Sequence, residues 1–203
     1  MRGGRELVAG VVVMLALAGC AGRPVAAGVP AAVPAGVAPR EVTEADVPYN
    51  LTDVLFCREM ILHDRQALTL AGLVEGRSED AFVGGLADRI KAGEASRVAA
   101  LAERLRTWDF SVPDAANPPM HDMPGMLTDA QLVLLRGKRG ADFDKLWLTT
   151  LARHTGYGML LAEKARDDGK DRTTKDIAGR LAVAQRAEVN EMATRLARLR
   201  GGG

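Results

Sequence analysis

Cys57, Met60 and His63 follow one another at intervals of three residues, and Asp64 adjoins the last of them. On a helix this spacing climbs one side, so a thiol, a thioether, an imidazole and a carboxylate would share a face. Thiolate and thioether are soft donors that select copper(I), and imidazole suits copper or zinc. A second concentration follows in Met120-His121-Asp122-Met123-Pro124-Gly125-Met126, where a histidine meets three of the eight methionines in the chain. Met120, His121, Met123 and Met126 therefore form a candidate copper(I) loop, less pre-organised than a site on helices. His154 completes the set of three histidines. Each group also has an ordinary structural role: Cys and Met fill buried stripes, and methionines pin irregular segments as adaptable packing.

Other chemistries lack their residues. There is no Gly-x-Ser-x-Gly, no Gly-x-x-x-x-Gly-Lys and no Cys-x-x-Cys. A di-iron bundle site uses Glu-x-x-His on paired helices. Here Met60 precedes His63 by three, and Leu151 precedes His154 by three. An iron oxidase is thus not expected, and neither is any enzyme activity. The net charge of +1 argues against nucleic acid as a partner, which would need a concentrated basic face. Arg195, Arg198 and Arg200 complement the C-terminal end of a helix dipole instead.

The elements that must position these groups are helical, because Ala, Leu, Arg and Glu abound and alternating β-branched runs are missing. Apolar stripes at helical spacing predict helices over about 49–75, 79–109, 142–168 and 173–200. Gly76 and Gly169 are the expected stops, and Ser78 and Asp142 the expected caps. Prolines at 113, 118, 119 and 124 exclude a continuous helix between the two pairs. Thr128-Asp-Ala-Gln131 predicts a short helix there through a capping box. The pairs repeat each other at an offset of 91 residues: Asp53 and Asp144, Phe56 and Trp147, His63 and His154, Ala71 and Ala162, Ile90 and Leu181. Such a duplication predicts an all-α, four-helix bundle of ferritin-like type, built from two helical hairpins with a Pro/Met-rich crossover. It also puts His63 and His154 at equivalent places, facing each other.

Three polar residues interrupt the core stripes. Gln185 and Glu188 lie on the line of Ile177, Leu181 and Met192, and Glu94 stands 91 residues before Gln185. A buried polar group must be paired, at a cost of roughly several kcal/mol if it is not. Their expected partners are His63 and His154, either in a hydrogen-bond network that fixes register or around a metal held between the hairpins.

The chain start reads as an export signal over 1–20. Arg2 and Arg5 precede a short apolar run that ends in Leu17-Ala18-Gly19-Cys20, which resembles a bacterial lipobox. Lipidation of Cys20 would tether the protein to the extracytoplasmic face of the bacterial cell membrane. Residues 21–45, rich in Ala, Pro and Gly, read as a semi-rigid spacer, and 46–200 as the folded domain. Cys57 would then have no disulfide partner, and is expected to be buried, a ligand or reactive.

Asp53…Phe56…Met60-Ile-Leu-His63-Asp-Arg-Gln66-Ala67, Met-His-x-Met-Pro-Gly-Met, Phe143-Asp144…His154 and Gln185-x-x-Glu188…Met192, in this order, resemble domain-of-unknown-function family 305. The resemblance covers roughly 48–200. It implies a ferritin-like fold of two similar hairpins, an exported or membrane-attached bacterial protein and, for some members, copper binding and resistance. The family pattern has Met-x-x-His-His in both hairpins, whereas this chain has His63-Asp64 and His154-Thr155. The family's Gln-x-x-Glu is kept at Gln185 and Glu188 but becomes Glu94-Ala-Ser-Arg97 in helix two. Two readings result. The first is a lipid-anchored protein that binds or buffers copper through Met60, His63, Asp64, His154 and the Met120–Met126 loop, with Cys57, Glu94, Gln185 and Glu188 around it. The alternative is a non-metal structural or interaction module with a degenerate site, binding a protein partner at the cell surface. Imidazoles more than about 10 Å apart could not share an ion, since metal–nitrogen bonds are about 2 Å.

Overall fold

The computed structural model describes residues 46–114 and 123–201. Their regular elements are five helices: α1 Leu51–Gly72, α2 Ala81–Thr107, α3 Asp129–Arg136, α4 Gly140–Asp168 and α5 Arg172–Gly201. The all-α class expected from the sequence is the class observed.

Local chemistry sets the boundaries. Asn50 accepts a hydrogen bond from the Asp53 amide while the Asp53 carboxylate accepts one from the Asn50 amide, which closes a capping box at the start of α1. The chain turns at Gly76, whose φ of +67° suits a residue without Cβ. Asp80, not Ser78, caps α2 by accepting from Phe82 and Val83. The Ser78 hydroxyl instead accepts from the Asp80 amide, so it shapes the turn one step earlier. Thr128 and Gln131 form the expected box on α3. Asp142 is not a cap: α4 begins two residues before it, after Arg139, and Asp142 sits in the first turn, where a negative charge complements the dipole.

Helices α1 and α2 form one hairpin and α4 and α5 the other, with α1 packed on α4. The apolar core falls into two clusters. One gathers Leu70, Leu86, Phe143, Trp147 and Met192; the other gathers Phe56, Cys57, Met60, Leu105 and Leu181. The Trp147 indole N–H, buried in the first, donates to the Leu70 carbonyl at 2.9 Å.

The hairpin ends lock each other reciprocally. Asp53 Oδ2 accepts from the amides of Lys170 and Asp171 at the turn before α5. Asp171 accepts from the Thr174 amide and from Arg104 of α2, each at 2.7 Å. At the other end Arg195 of α5 pairs with Asp80, the cap of α2. Arg104 and Arg195, like Asp80 and Asp171, stand 91 residues apart. No helix among the described residues is long and apolar enough to cross a membrane.

Candidate metal centre

Between the two apolar clusters lies a buried polar layer. Helix α1 contributes His63 and Asp64, α2 Glu94, α4 His154 and Thr155, and α5 Gln185; half-exposed Arg97 and Glu188 border it. The sequence reading paired these residues largely with the histidines, and the structure divides them into two halves.

The first half is the histidine pair. The rings of His63 and His154 have centroids 4.6 Å apart, inclined by 38°. The distance permits a shared ion, but the orientation spends most of the nitrogens elsewhere. His154 directs Nε2 at the His63 carbonyl, at 3.1 Å, and Nδ1 at the Gly125 carbonyl, at 3.2 Å. A neutral imidazole has one N–H, so one contact is a hydrogen bond at a time and the other sets a lone pair against an oxygen. Burial holds His154 below its ordinary pKa and keeps it neutral. His63 is pushed down to about 3 by burial first and then by His154, opposed by the Pro124 carbonyl. Its Nδ1 is buried and has no hydrogen-bond partner.

The crossover covers this pair. Pro124 and Gly125 provide the carbonyls just named, and Met123 and Met126 flank them, the first buried and the second half-buried. Gln66 clamps the segment from α1: its amide donates to the Leu127 carbonyl at 3.0 Å and accepts from the Leu127 amide at 2.7 Å. Gly125 has φ +81° and lies against Tyr157, where a Cβ would come within 2.6 Å of the ring. Met120 and His121 fall outside the described residues, as do Cys20, the signal and the linker.

The second half is an ion-pair cluster. Asp64 does not face the histidines. Both its oxygens accept from Arg97, from Nε and Nη2 at 2.7 Å each. Arg97 Nη2 also reaches Glu94 Oε1 at 3.2 Å, so Glu94 pairs with an arginine and not with a histidine. Burial, then the Asp64 carboxylate, push Glu94 up to about 8 against the pull of Arg97. Glu188 acts electrostatically on both Glu94 and Arg97. Gln185 lies against Gly158, at which a Cβ would meet its amide at 3.2 Å, and its Oε1 is unpartnered.

Cys57 and Met60 are fully buried in the second apolar cluster. Burial pushes the Cys57 thiol up to about 12, partly offset by a hydrogen bond with Thr174, so it is not a ready thiolate. Among the described residues no group of three or more His, Cys, Asp or Glu could hold a metal ion. Gln66 as the clamp and Arg97 as the partner of Asp64 carry no local signal in the sequence that assigns them these roles. The repeat offset could have exposed the Arg104 and Arg195 pair.

Solved structures share this fold. A DUF305 protein from Streptomyces coelicolor, named as a candidate secreted protein, is 27% identical with a TM-score of 0.66, over 73% of this chain and 93% of its own. A DUF305 fragment from Deinococcus radiodurans is 23% identical, also with a TM-score of 0.66, over 75% of this chain and 99% of its own. CopM in its Cu(I)-bound form is 17% identical with a TM-score of 0.61, over 73% of this chain and 98% of its own. At that identity the likeness speaks for the fold alone. No curated protein matches the chain. The sequence profile of the domain of unknown function DUF305 matches residues 53–196, from the capping carboxylate of α1 almost to the end of α5, and the chain therefore belongs to the DUF305 family.

Proposed function

We propose that this protein is a lipid-anchored, extracytoplasmic copper-binding or copper-buffering protein without enzyme activity, and that it takes copper(I) where the crossover meets the histidine pair. The observation that carries this reading is the orphaned Nδ1 of His63, a buried imidazole nitrogen lying beneath a segment that bears Met123 and Met126. A soft monovalent ion prefers such thioether and imidazole donors. CopM, of the same fold, exists in copper-bound forms. His63, Met123 and Met126 would hold the ion, with Met120 and His121 of the same motif as further donors. His154 would act first as a peg for the crossover, because each of its nitrogens already faces a carbonyl. Asp64, Cys57 and Met60 are engaged in the ion pair or in the core and stay outside this set.

The alternative, a structural or interaction module with a degenerate site, draws support from the Asp64–Arg97 pair, which serves packing. Copper(I) titration against a competing chelator separates the two. Copper binding at the crossover requires affinity to fall at least about tenfold, about 1.4 kcal/mol, in His63→Ala and in Met123→Leu/Met126→Leu. Unchanged affinity in both variants contradicts it. A His63→Ala/His154→Ala protein that loses thermal stability but keeps its copper content favours the module.

A further inference from the structure

Helix α3 is anchored on one side and bare on the other. Leu132 and Leu135 join the first apolar cluster. Arg77, in the turn after α1, donates to the Arg136 carbonyl at 3.3 Å and so fixes the end of α3. The opposite side carries Val133 and Leu134, 61% and 62% exposed. One exposed apolar side chain is ordinary, but two neighbours on a single turn leave an unpartnered apolar face. Leu134 also lines a groove of about 310 Å³ together with Leu146 and Arg153 of α4.

Cations border this face. Arg136 follows Val133 by three residues and Lys138 follows Leu134 by four. The helical backbone continues through Gly137, and the Lys138 amide donates to the Leu135 carbonyl at 3.1 Å. Each cation therefore lies one turn beyond an apolar residue, on the same side. Arg139 comes next and is also exposed. Between 130 and 141 the chain holds these three cations and no carboxylate; Asp142 is the first to follow.

We propose that this face of α3 is a membrane-contact surface, with Val133 and Leu134 entering the acyl boundary and Arg136, Lys138 and Arg139 meeting the phosphates of anionic phospholipid. An apolar tip bordered by Lys and Arg complements a negatively charged bilayer interface. The choice of partner rests on the lipid-anchored reading, which also supplies the reach. The spacer over 21–45 spans up to about 80 Å when extended, whereas the 22 residues of α1 span roughly 33 Å. The tether joins the start of α1, and α3 is held at the far end of that helix. It thus outreaches the bundle and leaves α3 free to meet the bilayer that holds Cys20.

The test is partition of the whole chain onto vesicles of phosphatidylglycerol and phosphatidylcholine, with Cys20→Ser so that no acyl chain contributes. Binding should fall at least about tenfold in Arg136→Gln/Lys138→Gln, and should fall similarly in Val133→Ser/Leu134→Ser. Leu134→Trp should be quenched by lipids brominated in the acyl chain, against Trp108 and Trp147, which are buried. Equal partition of both double variants and the parent overturns the proposal; it would mean that the apolar leader carries the binding or that α3 meets a protein. Bound Leu134→Trp protein without quenching overturns it too. Lipidation of Cys20 is read separately, by fatty-acid incorporation in cells; its failure would remove the anchor and leave the vesicle result standing.

Discussion

The hairpin ends and the polar layer between them share one 91-residue repeat and keep it to different degrees. At the ends the copies still mirror each other: Arg104 reaches Asp171 and Arg195 reaches Asp80, each guanidinium meeting the cap of a helix in the opposite hairpin. In the layer only the histidines match. Asp64 and Arg97 in one copy stand where the other has Thr155 and Glu188. Contacts that close the hairpins meet the same geometric demand in both copies, and both copies carry the same residue types there. The layer lies on the line where the copies meet, and one guanidinium there can answer carboxylates from both. Its two halves could thus take separate roles, one filled by an ion pair and one covered by a methionine-bearing crossover.

The sharpest way to break this comparison is at Arg97. Arg97→Met leaves buried Asp64 without its cation and should cost about 3 kcal/mol in unfolding free energy. Asp64→Leu/Arg97→Met should recover most of that, because the charge is then removed with its partner. Chemical denaturation measures both, and a single variant as stable as the wild type would show that Arg97 is dispensable to the layer.

The halves should also titrate in opposite directions. Glu94 is pushed from 4.5 to about 8, so between those values the folded protein holds a proton that the unfolded chain has lost, and stability falls as pH rises. His63 is pushed from 6.5 to about 3, so between those values the unfolded chain takes a proton that the folded one refuses, and stability falls as pH drops. Glu94→Gln should flatten the alkaline limb of a stability–pH profile and His63→Gln the acid limb. His154 shifts the same way as His63, and Asp64 and Glu188 the same way as Glu94, so each variant should reduce its limb without removing it, and a limb left unchanged refutes the assignment of that group.

The ends give a smaller contrast. Asp53 accepts from three backbone amides, of Asn50, Lys170 and Asp171. Asp144, its counterpart, is satisfied chiefly through Ser78; in both carboxylates Oδ1 is left unpartnered, so the contrast lies in the number of amides met. Asp53→Ala should cost about 2 kcal/mol and Asp144→Ala about half that, as buried donors are left unmet. Equal losses in thermal denaturation would mean that the two ends are better matched than their hydrogen bonds indicate. Gly125→Ala should cost about 1–2 kcal/mol for a left-handed backbone forced onto a residue with Cβ, and more as Tyr157 yields to a Cβ placed 2.6 Å from its ring. Its mark should be local: faster amide exchange over 123–127 with the four long helices unchanged.

The long helices were legible in the sequence because apolar stripes, the Gly76 and Gly169 stops and the Thr128 box are local signals. The α2 cap was not: Ser78 and Asp80 are both good caps, and only the path of the turn decides between them. The meeting of His63 with His154 could be read from the repeat, since equivalent positions on paired helices adjoin the same axis. The partner of Asp64 could not. Asp64 follows the line of Cys57 and Met60, but pairing it with Arg97 depends on how α2 is rotated against α1, which a stripe of small and apolar residues leaves loose. The crossover showed its chemistry in Met123 and Met126 but not its attachment, which rests on Gln66, a residue that stood in the family motif on α1 without a role assigned to it.

X-ray absorption at the copper edge on the copper(I)-loaded protein tests the central claim most directly. Copper seated between the crossover and His63 predicts a first shell containing both sulfur and imidazole nitrogen. The sulfur contribution should fall in Met123→Leu/Met126→Leu and the imidazole scattering in His63→Ala. A shell of nitrogen and oxygen alone, or a sulfur signal that survives the methionine substitutions and disappears in Cys57→Ala, would contradict it.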